Sequence, residues 1–379
     1  MSVPRPTLLF FVTADWFFCS HFLERAKASQ EAGYEVIVVT NVDRHRAAIE
    51  DAGLRLINLE IDRRSLNPLA TLYTLWQLIH LYRCERPDVI HQVALKPILL
   101  GSLAARFSGV KSIVNAVVGG GYAFTSNSRM MRVVRPLLLL ALRFLLNPRG
   151  SRVVFENDDD LLVFVRKGLV REEDAVLIQG AGINADLYCA KSGKSNSRPL
   201  IVLPARLLWD KGVGEFVQAA HMLLGQGVQA RFALVGGPDI GNRATIDSAT
   251  LEKWKKEGIV ELWGFRNDMP AVLLEADIVC LPSYREGLPK ALLEGMAASL
   301  PCVTTDVPGC RTVVHDGVNG LLVPPRNPEA LARALLRLID EPCLRRQMGQ
   351  RGRERALAEF ASQIICRQTL LVYENLLLS

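Results

Sequence analysis

The stretch ADIVCLPSYREGLPKALLEGMAASLPCVTT, Ala276 to Thr305, decides how the chain is read. Two short apolar runs, IVCL and CVTT, enclose a turn and a segment with helical spacing. A strand, a helix and a second strand in this order form a crossover unit whose strands lie parallel. Inside it, Glu286 and Glu294 stand eight positions apart around a Gly-Leu-Pro turn. Two carboxylates flanking a turn can serve as acid and base on a glycosidic bond. They can also hold a sugar while other groups react.

The same alternation runs outward from this stretch. PLIVLPA, ARFALVGG, VELWG and GLLVPP read as further strands, with one helix starting at Val213 and another ending near Gly258. The N-terminal half repeats the plan, with TLLFFVTA, EVIVVT, DVIHQ, SIVNAVV and RVVFEN as strands. Its helices include HFLERAKASQEAGY, closed by Gly33, and a long one from about Pro68 to Arg86. Continuous Val/Ile runs bounded by helices indicate parallel strands covered on both faces. Between the halves, AKSGKSNSRP is small and polar and ends in proline, the composition of a linker. The fold class is therefore α/β, with two doubly wound domains at residues 1–188 and 199–360. A C-terminal helix at 361–379 is expected to cross back to the first domain. Ligands of such sheets sit outside the carboxyl ends of the strands, so two sheets facing each other would make a cleft lined by the residues that follow each strand.

Bulk properties narrow the classes. With 379 residues the chain exceeds one ordinary core, and 49% hydrophobic against 22% charged residues excludes a disordered polymer. A net charge of +6 suits an anionic small molecule or membrane surface better than a dedicated nucleic-acid binder, and no nucleic-acid-binding signature is present. The eight cysteines are scattered singly, so neither a zinc site nor a disulfide scaffold is expected. They read as small hydrophobes in a reducing cytosol. The N-terminal apolar run meets Asp15 too soon for a signal sequence and reads as a buried strand.

Three motifs carry the chemistry. In LPARLLWDKG, Arg206 and Lys211 follow the first strand of the second domain, where a fork and a compact charge can grip a diphosphate. Two solvated loop cations are the plain alternative. In LVGGPD, Gly236 and Gly237 let a ligand approach the backbone, although a simple turn would look the same. The cluster Gly119, Gly120 and Gly121 lacks the spacing and acidic partner of a dinucleotide fingerprint, which disfavours nicotinamide chemistry. In the opening stretch, Pro289 suits a first helical position, where its missing N–H costs nothing, so the amides around it from Gly287 to Lys290 would meet an anion at a helix N-terminus. Eight helical residues span about 12 Å, and a phosphate-binding turn between two acids does not suit a glycosidase pair. It suits a ligand with hydroxyls at both ends and a diphosphate in the middle, which describes a nucleotide sugar.

Taken as an ordered set, LPARLLWDKG, REGLPKALLEGMA and PGCRTVVHDGVNGLLVPP resemble the retaining glycosyltransferases of the large family 4. That resemblance implies the GT-B fold, two Rossmann-like domains facing each other across a cleft. It implies that Glu294 binds ribose hydroxyls and that Glu286 contacts the transferred sugar, with the Gly287 and Leu288 amides near that sugar and its phosphate. Arg206 and Lys211 would neutralise the departing diphosphate without a metal or cofactor, the nucleotide sugar being a co-substrate. Gly264 and Phe265 would meet the base. The favoured donor is a UDP-linked hexose or N-acetylhexosamine, and the acceptor a lipid-linked saccharide of surface polysaccharide synthesis. Two other readings stay open, a nucleotide-sugar epimerase or hydrolase and a non-catalytic nucleotide-sugar-binding subunit.

The N-terminal half resembles the family more loosely. DWFFCSH, ending at His21, and HQVALK, from His91 to Lys96, are similar to acceptor-side loops, and the glycines at 119–121 occupy a third. No histidine stands beside those glycines, so His91 is the substitute candidate for a catalytic base; a structural strand histidine is the alternative. In RMMRVVRPLLLLALRFLLNPR, Arg129, Arg132, Arg135 and Arg143 share one arc of a helical wheel. This is either a cationic surface that lies on an anionic membrane or a helix that covers the sheet. The first option would place the protein in the cytoplasm, peripheral on the inner face of the membrane.

Overall fold

The computed structural model describes residues 5–61, 67–118, 129–189, 198–239, 242 and 244–378, with the side chains of 129–133 excepted. The chain divides into two compact units, Met1–Ala181 with Ser362–Ser379, and Gly182–Ala361. The first unit ends before residue 188 because Ile183 forms a bridge to Ala361, and Ile183, Ala185 and Tyr188 enter the second unit's core. Residues 190–197 of the expected linker lie outside the described residues.

The first unit holds strands β1 (Thr7–Phe11), β2 (Glu35–Thr40), β3 (Arg55–Asn58), β4 (Val89–Val93), β5 (Ser112–Val117), β6 (Ser151–Phe155) and β7 (Ala175–Leu177). They form one parallel sheet in the order β3-β2-β1-β4-β5-β6-β7. β3 and β7 were not among the strands read, because four and three residues are too few to show a period. Central strands such as β1 are buried from Leu8 to Phe11, which is why they read as unbroken apolar runs. Alternation sends Val89 and Val93 to one face and Ile90 to the other. The terminal helix Ser362–Leu378 packs beside the helix Leu23–Glu31 on the first of these faces. It contributes Ile365, Val372, Tyr373 and Leu376 to that core, each burial worth about 1.5–3 kcal/mol.

The second unit holds β8 (Leu200–Pro204), β9 (Arg231–Val235), β10 (Glu261–Gly264), β11 (Ile278–Leu281), β12 (Cys302–Thr305) and β13 (Gly320–Val323). Its parallel sheet runs β10-β9-β8-β11-β12-β13. The opening stretch folds as read: β11, the helix Lys290–Ala297, then β12 beside β11 in parallel. Both units are thus doubly wound sheets with apolar cores on each face.

Candidate active site

In the second unit the strand order reverses between β8 and β11, the place where doubly wound sheets bind ligands. The loop after β8 carries Arg206 and Lys211, and the loop after β11 carries Glu286. Gly212 presses these loops together. Its backbone is left-handed (φ 71°), and a Cβ there would lie 2.1 Å from the Pro282 carbonyl oxygen. On the other flank, a Cβ on Gly309 would lie 2.2 Å from the Gly287 carbonyl oxygen.

This close approach delivers Lys211 to Glu286. The ammonium donates to Oε1 at 2.6 Å, with the two side chains 21% and 11% exposed. Ser283, wholly buried, donates its hydroxyl to the same oxygen at 2.6 Å. Thr305 in turn donates to the Ser283 carbonyl. Both protein donors therefore fall on one oxygen of Glu286. Cys310 lies buried nearby; burial first and the Glu286 charge second push its thiol up to about 12, so it stays protonated and unreactive. Beside them Tyr284 donates to Glu215 at 2.6 Å, with the Arg326 guanidinium 4.5 Å above its ring.

Glu294 sits in the second turn of the helix Lys290–Ala297, with its side chain 14% exposed. Burial raises its pKa, while the Lys290 ammonium at 3.8 Å and a hydrogen bond from Tyr188 oppose the rise. Pro289 departs from its expected place as the first helical residue. It is the extended residue before the helix (ψ 109°), and its carbonyl accepts from the Leu292 N–H at 3.1 Å. Leu288 is buried beneath this turn.

The remaining donor-side candidates also gather at this edge. Arg206 donates to Asp239 at 2.6 Å, on the loop that follows β9. Gly236 permits that contact, since a Cβ there would lie 1.9 Å from the Ala205 carbonyl oxygen. The Gly237 carbonyl accepts from the Leu207 N–H at 3.0 Å. Gly264 (φ 68°) turns the chain out of β10 and leaves Phe265 75% exposed. Sequence reasoning assigned no role to Ser283 or Tyr188. The first lay inside the quoted stretch, three residues before Glu286, whereas nothing local marks the second.

In the first unit His91 is not placed for catalysis. It is the middle residue of β4, 1% exposed, with its ring stacked on Phe10 at 5.1 Å and Nδ1 2.6 Å from the Tyr373 hydroxyl. Burial, with the Arg25 charge second, holds its pKa well below the usual value. The terminal helix that supplies Tyr373 covers this face, so no substrate reaches the ring. His21 ends the helix Asp15–His21, stacked on Phe17 at 4.2 Å. Lys96 stands in the first turn of the helix Leu95–Ser108 and lines a cavity with Asp15 and Trp16. Gly119, Gly120 and Gly121 lie outside the described residues. Of the four arginines, Arg135 is half-buried and Arg143 exposed, while the side chains of Arg129 and Arg132 are not among those described.

The family description "Glycosyl transferases group 1" matches residues 185–355, and "Glycosyl transferase 4-like" matches residues 7–157. The N,N'-diacetylbacillosaminyl-diphospho-undecaprenol alpha-1,3-N-acetylgalactosaminyltransferase of Campylobacter jejuni is 28% identical over 367 residues, 93% of this chain and 94% of that protein. The Escherichia coli UDP-Gal:alpha-D-GlcNAc-diphosphoundecaprenol alpha-1,3-galactosyltransferase is 24% identical over 293 residues, 74% of each chain. The crystal structure of Anabaena HepE in complex with UDP shares the fold, with a TM-score of 0.79 at 18% identity over 98% of this chain and 100% of that one.

Proposed function

The chain belongs to the family 4-like glycosyltransferases of the GT-B fold, and from that premise we propose its reaction. It moves a hexose or N-acetylhexosamine from a UDP-linked donor to a hydroxyl of a lipid-linked saccharide in surface polysaccharide synthesis, with retention at the anomeric carbon. The observation that carries this reading is the junction of Lys211, Glu286 and Ser283 at the β8/β11 reversal. The names of the relatives, which act on diphosphoundecaprenol-linked saccharides, support the acceptor class.

In this reading the donor diphosphate competes with Glu286 for Lys211 and with Asp239 for Arg206. Positive charge then meets the negative charge that develops on the leaving phosphate, the largest expected catalytic term. No resident metal is required, because these two cations and the N–H groups of Gly287, Leu288 and Lys290 supply that charge. Glu286, with Oε1 held by Ser283, offers Oε2 to hydroxyls of the transferred sugar. Glu294 takes the ribose hydroxyls, while Gly236 and Gly237 let the donor lie close to the backbone. Phe265, beside Gly264, gives the base an aromatic face. His91 being sealed in the core, the acceptor proton passes to a donor phosphate oxygen.

The enzyme would work on a membrane surface. Among the described residues no helix is long and apolar enough to cross a membrane. The helix Arg129–Leu145 nevertheless exposes Leu137, Leu140 and Phe144 beside Arg143. The helix Pro68–Glu85 exposes Leu69, Leu72, Tyr73 and Trp76 at helical spacing. Such faces suit a bilayer interface, and absence of binding to anionic liposomes at low salt would remove this part. The reaction is tested by offering UDP-sugars with diphosphoundecaprenol-linked saccharides and assigning the new anomeric centre by NMR. A product of inverted configuration, or donor consumed with no saccharide extended, would overturn it.

A further inference from the structure

Tyr284 stands two residues before Glu286, where three loops of the second unit meet. Its N–H donates to the carbonyl of Asp210, the residue before Lys211 in the loop after β8, at 2.9 Å. Its hydroxyl donates at 2.6 Å to Oε1 of Glu215, which lies in the first turn of the helix Val213–Gly225. Burial first, and the bond to Glu215 second, push that hydroxyl up to about 12, so it stays a donor. Over the ring lies the guanidinium of Arg326, at 4.5 Å, from the loop after β13. Neither sugar nor phosphate is assigned to any of these three side chains.

Two features separate this junction from an ordinary surface contact. Oε2 of Glu215 is buried with no hydrogen-bond partner, so the tyrosine hydroxyl is what holds the carboxylate. An unmatched buried oxygen costs stability, which the helix dipole offsets only in part. Arg326 has a left-handed backbone (φ 58°), a conformation that strains a side chain and suits glycine. Neither cost serves the core, since Arg326 is exposed and Glu215 and Tyr284 are only half-buried. Strain kept without gain in packing points to a functional constraint.

The constraint falls on the segment from Ser283 to Glu286. Thr305 holds its near end through the Ser283 carbonyl, and Tyr284 holds the next residue. Glu286 accepts from Lys211 at 2.6 Å, and the donor diphosphate must draw that ammonium away. Without the anchor at Tyr284, Glu286 would follow the lysine and leave the sugar. Displacements of about 1 Å cost up to about a hundredfold in rate.

We propose that Tyr284, Glu215 and Arg326 are positioning residues that keep Glu286 in place while Lys211 passes from it to the donor diphosphate. This role rests on the transferase reading and deepens it with three side chains that need not touch either substrate.

The test uses the full chain and three variants: Tyr284→Phe, Tyr284→Phe combined with Glu215→Leu, and Arg326→Gly. Turnover, UDP affinity by calorimetry and melting temperature are measured for each. Labelling of Lys211 by an amine-reactive reagent is followed by mass spectrometry, with the exposed Lys253 as control. Tyr284→Phe should cut turnover about tenfold with UDP affinity within about twofold, and Lys211 should label about threefold faster. The double variant leaves no unmatched carboxylate, so its melting temperature should return toward wild type while turnover stays low. Arg326→Gly, freed of the left-handed strain, should melt no lower than wild type yet turn over about threefold more slowly. Turnover that merely follows melting temperature across the three variants would overturn the role, as would Lys211 labelled at the wild-type rate in Tyr284→Phe. A wild-type chain that binds UDP but transfers no sugar would instead strike the transferase reading, and Lys211 labelling would still decide whether the junction holds Glu286.

Discussion

Two charged constellations in this molecule contain similar chemistry and have opposite fates. In the second unit Lys211, Glu286 and Ser283 meet where two loops leave the sheet, and the pair stays 21% and 11% exposed. In the first unit Arg25, His91 and Tyr373 meet on the face of the sheet, where Arg25 donates to the Gly180 carbonyl and His91 is 1% exposed. Position along the strand makes the difference. A residue beyond the last ladder bond faces the ligand edge, whereas one in mid-strand faces whatever covers the sheet. Here the cover is the terminal helix. His91, in the middle of β4, thus stands only three residues short of the loop that follows the strand, and its role differs entirely.

The sharpest way to break this contrast is Lys211→Ala. Turnover should fall about a hundredfold or more with donor affinity changed little, as expected for charge that acts on the leaving group. A variant with normal turnover would place the leaving-group charge elsewhere. Next in size is Glu294→Gln, which should weaken nucleotide binding about tenfold. The sign of its effect on stability is opposite. Burial raises the Glu294 pKa in the folded protein, so the folded state prefers the protonated form and loses stability as pH rises through that range. The neutral amide should therefore melt higher than wild type at pH 7, and a lower melting point would contradict the burial argument.

Tyr188→Phe removes only the hydrogen bond to Glu294. A few-fold loss of affinity for UDP should shrink when 2′-deoxy-UDP is the ligand, if the tyrosine acts through the ribose-binding carboxylate. Equal losses for both nucleotides would make Tyr188 merely structural. The smallest effect on turnover belongs to His91→Phe, which should leave the rate within about twofold, since the ring touches no substrate. Its signature is in stability. A folded pKa held below the unfolded value of about 6.5 means stability present above that pH and lost as pH falls below it. The variant should show a flatter acid limb in melting temperature against pH, and a large loss of turnover would restore His91 as a catalytic group.

Much of the fold was legible because each buried parallel strand leaves an apolar run, and each crossover helix leaves its own period and punctuation. β3 and β7 were not, being four and three residues long, and the unit boundary was displaced because Gly182–Tyr188 is held by tertiary contacts with no compositional mark. Within the site, the glycines, cations and glutamates stood out by type and spacing. Ser283 did not, because a serine after a strand is ordinary until Glu286 folds back onto it.

The sequence by itself determined two doubly wound sheets and the local chemistry at their strand ends, because hydrophobic period, turn residues and charge type are properties of short segments. Tertiary structure alone decided which of those groups face a ligand. Gly212 could bring Lys211 to Glu286, 75 residues apart in the chain, only once β8 and β11 were neighbours. His91 was sealed only once a helix 282 residues downstream laid Tyr373 on it. Exposure and pairing depend on what the rest of the chain places opposite a residue, and no short segment carries that information.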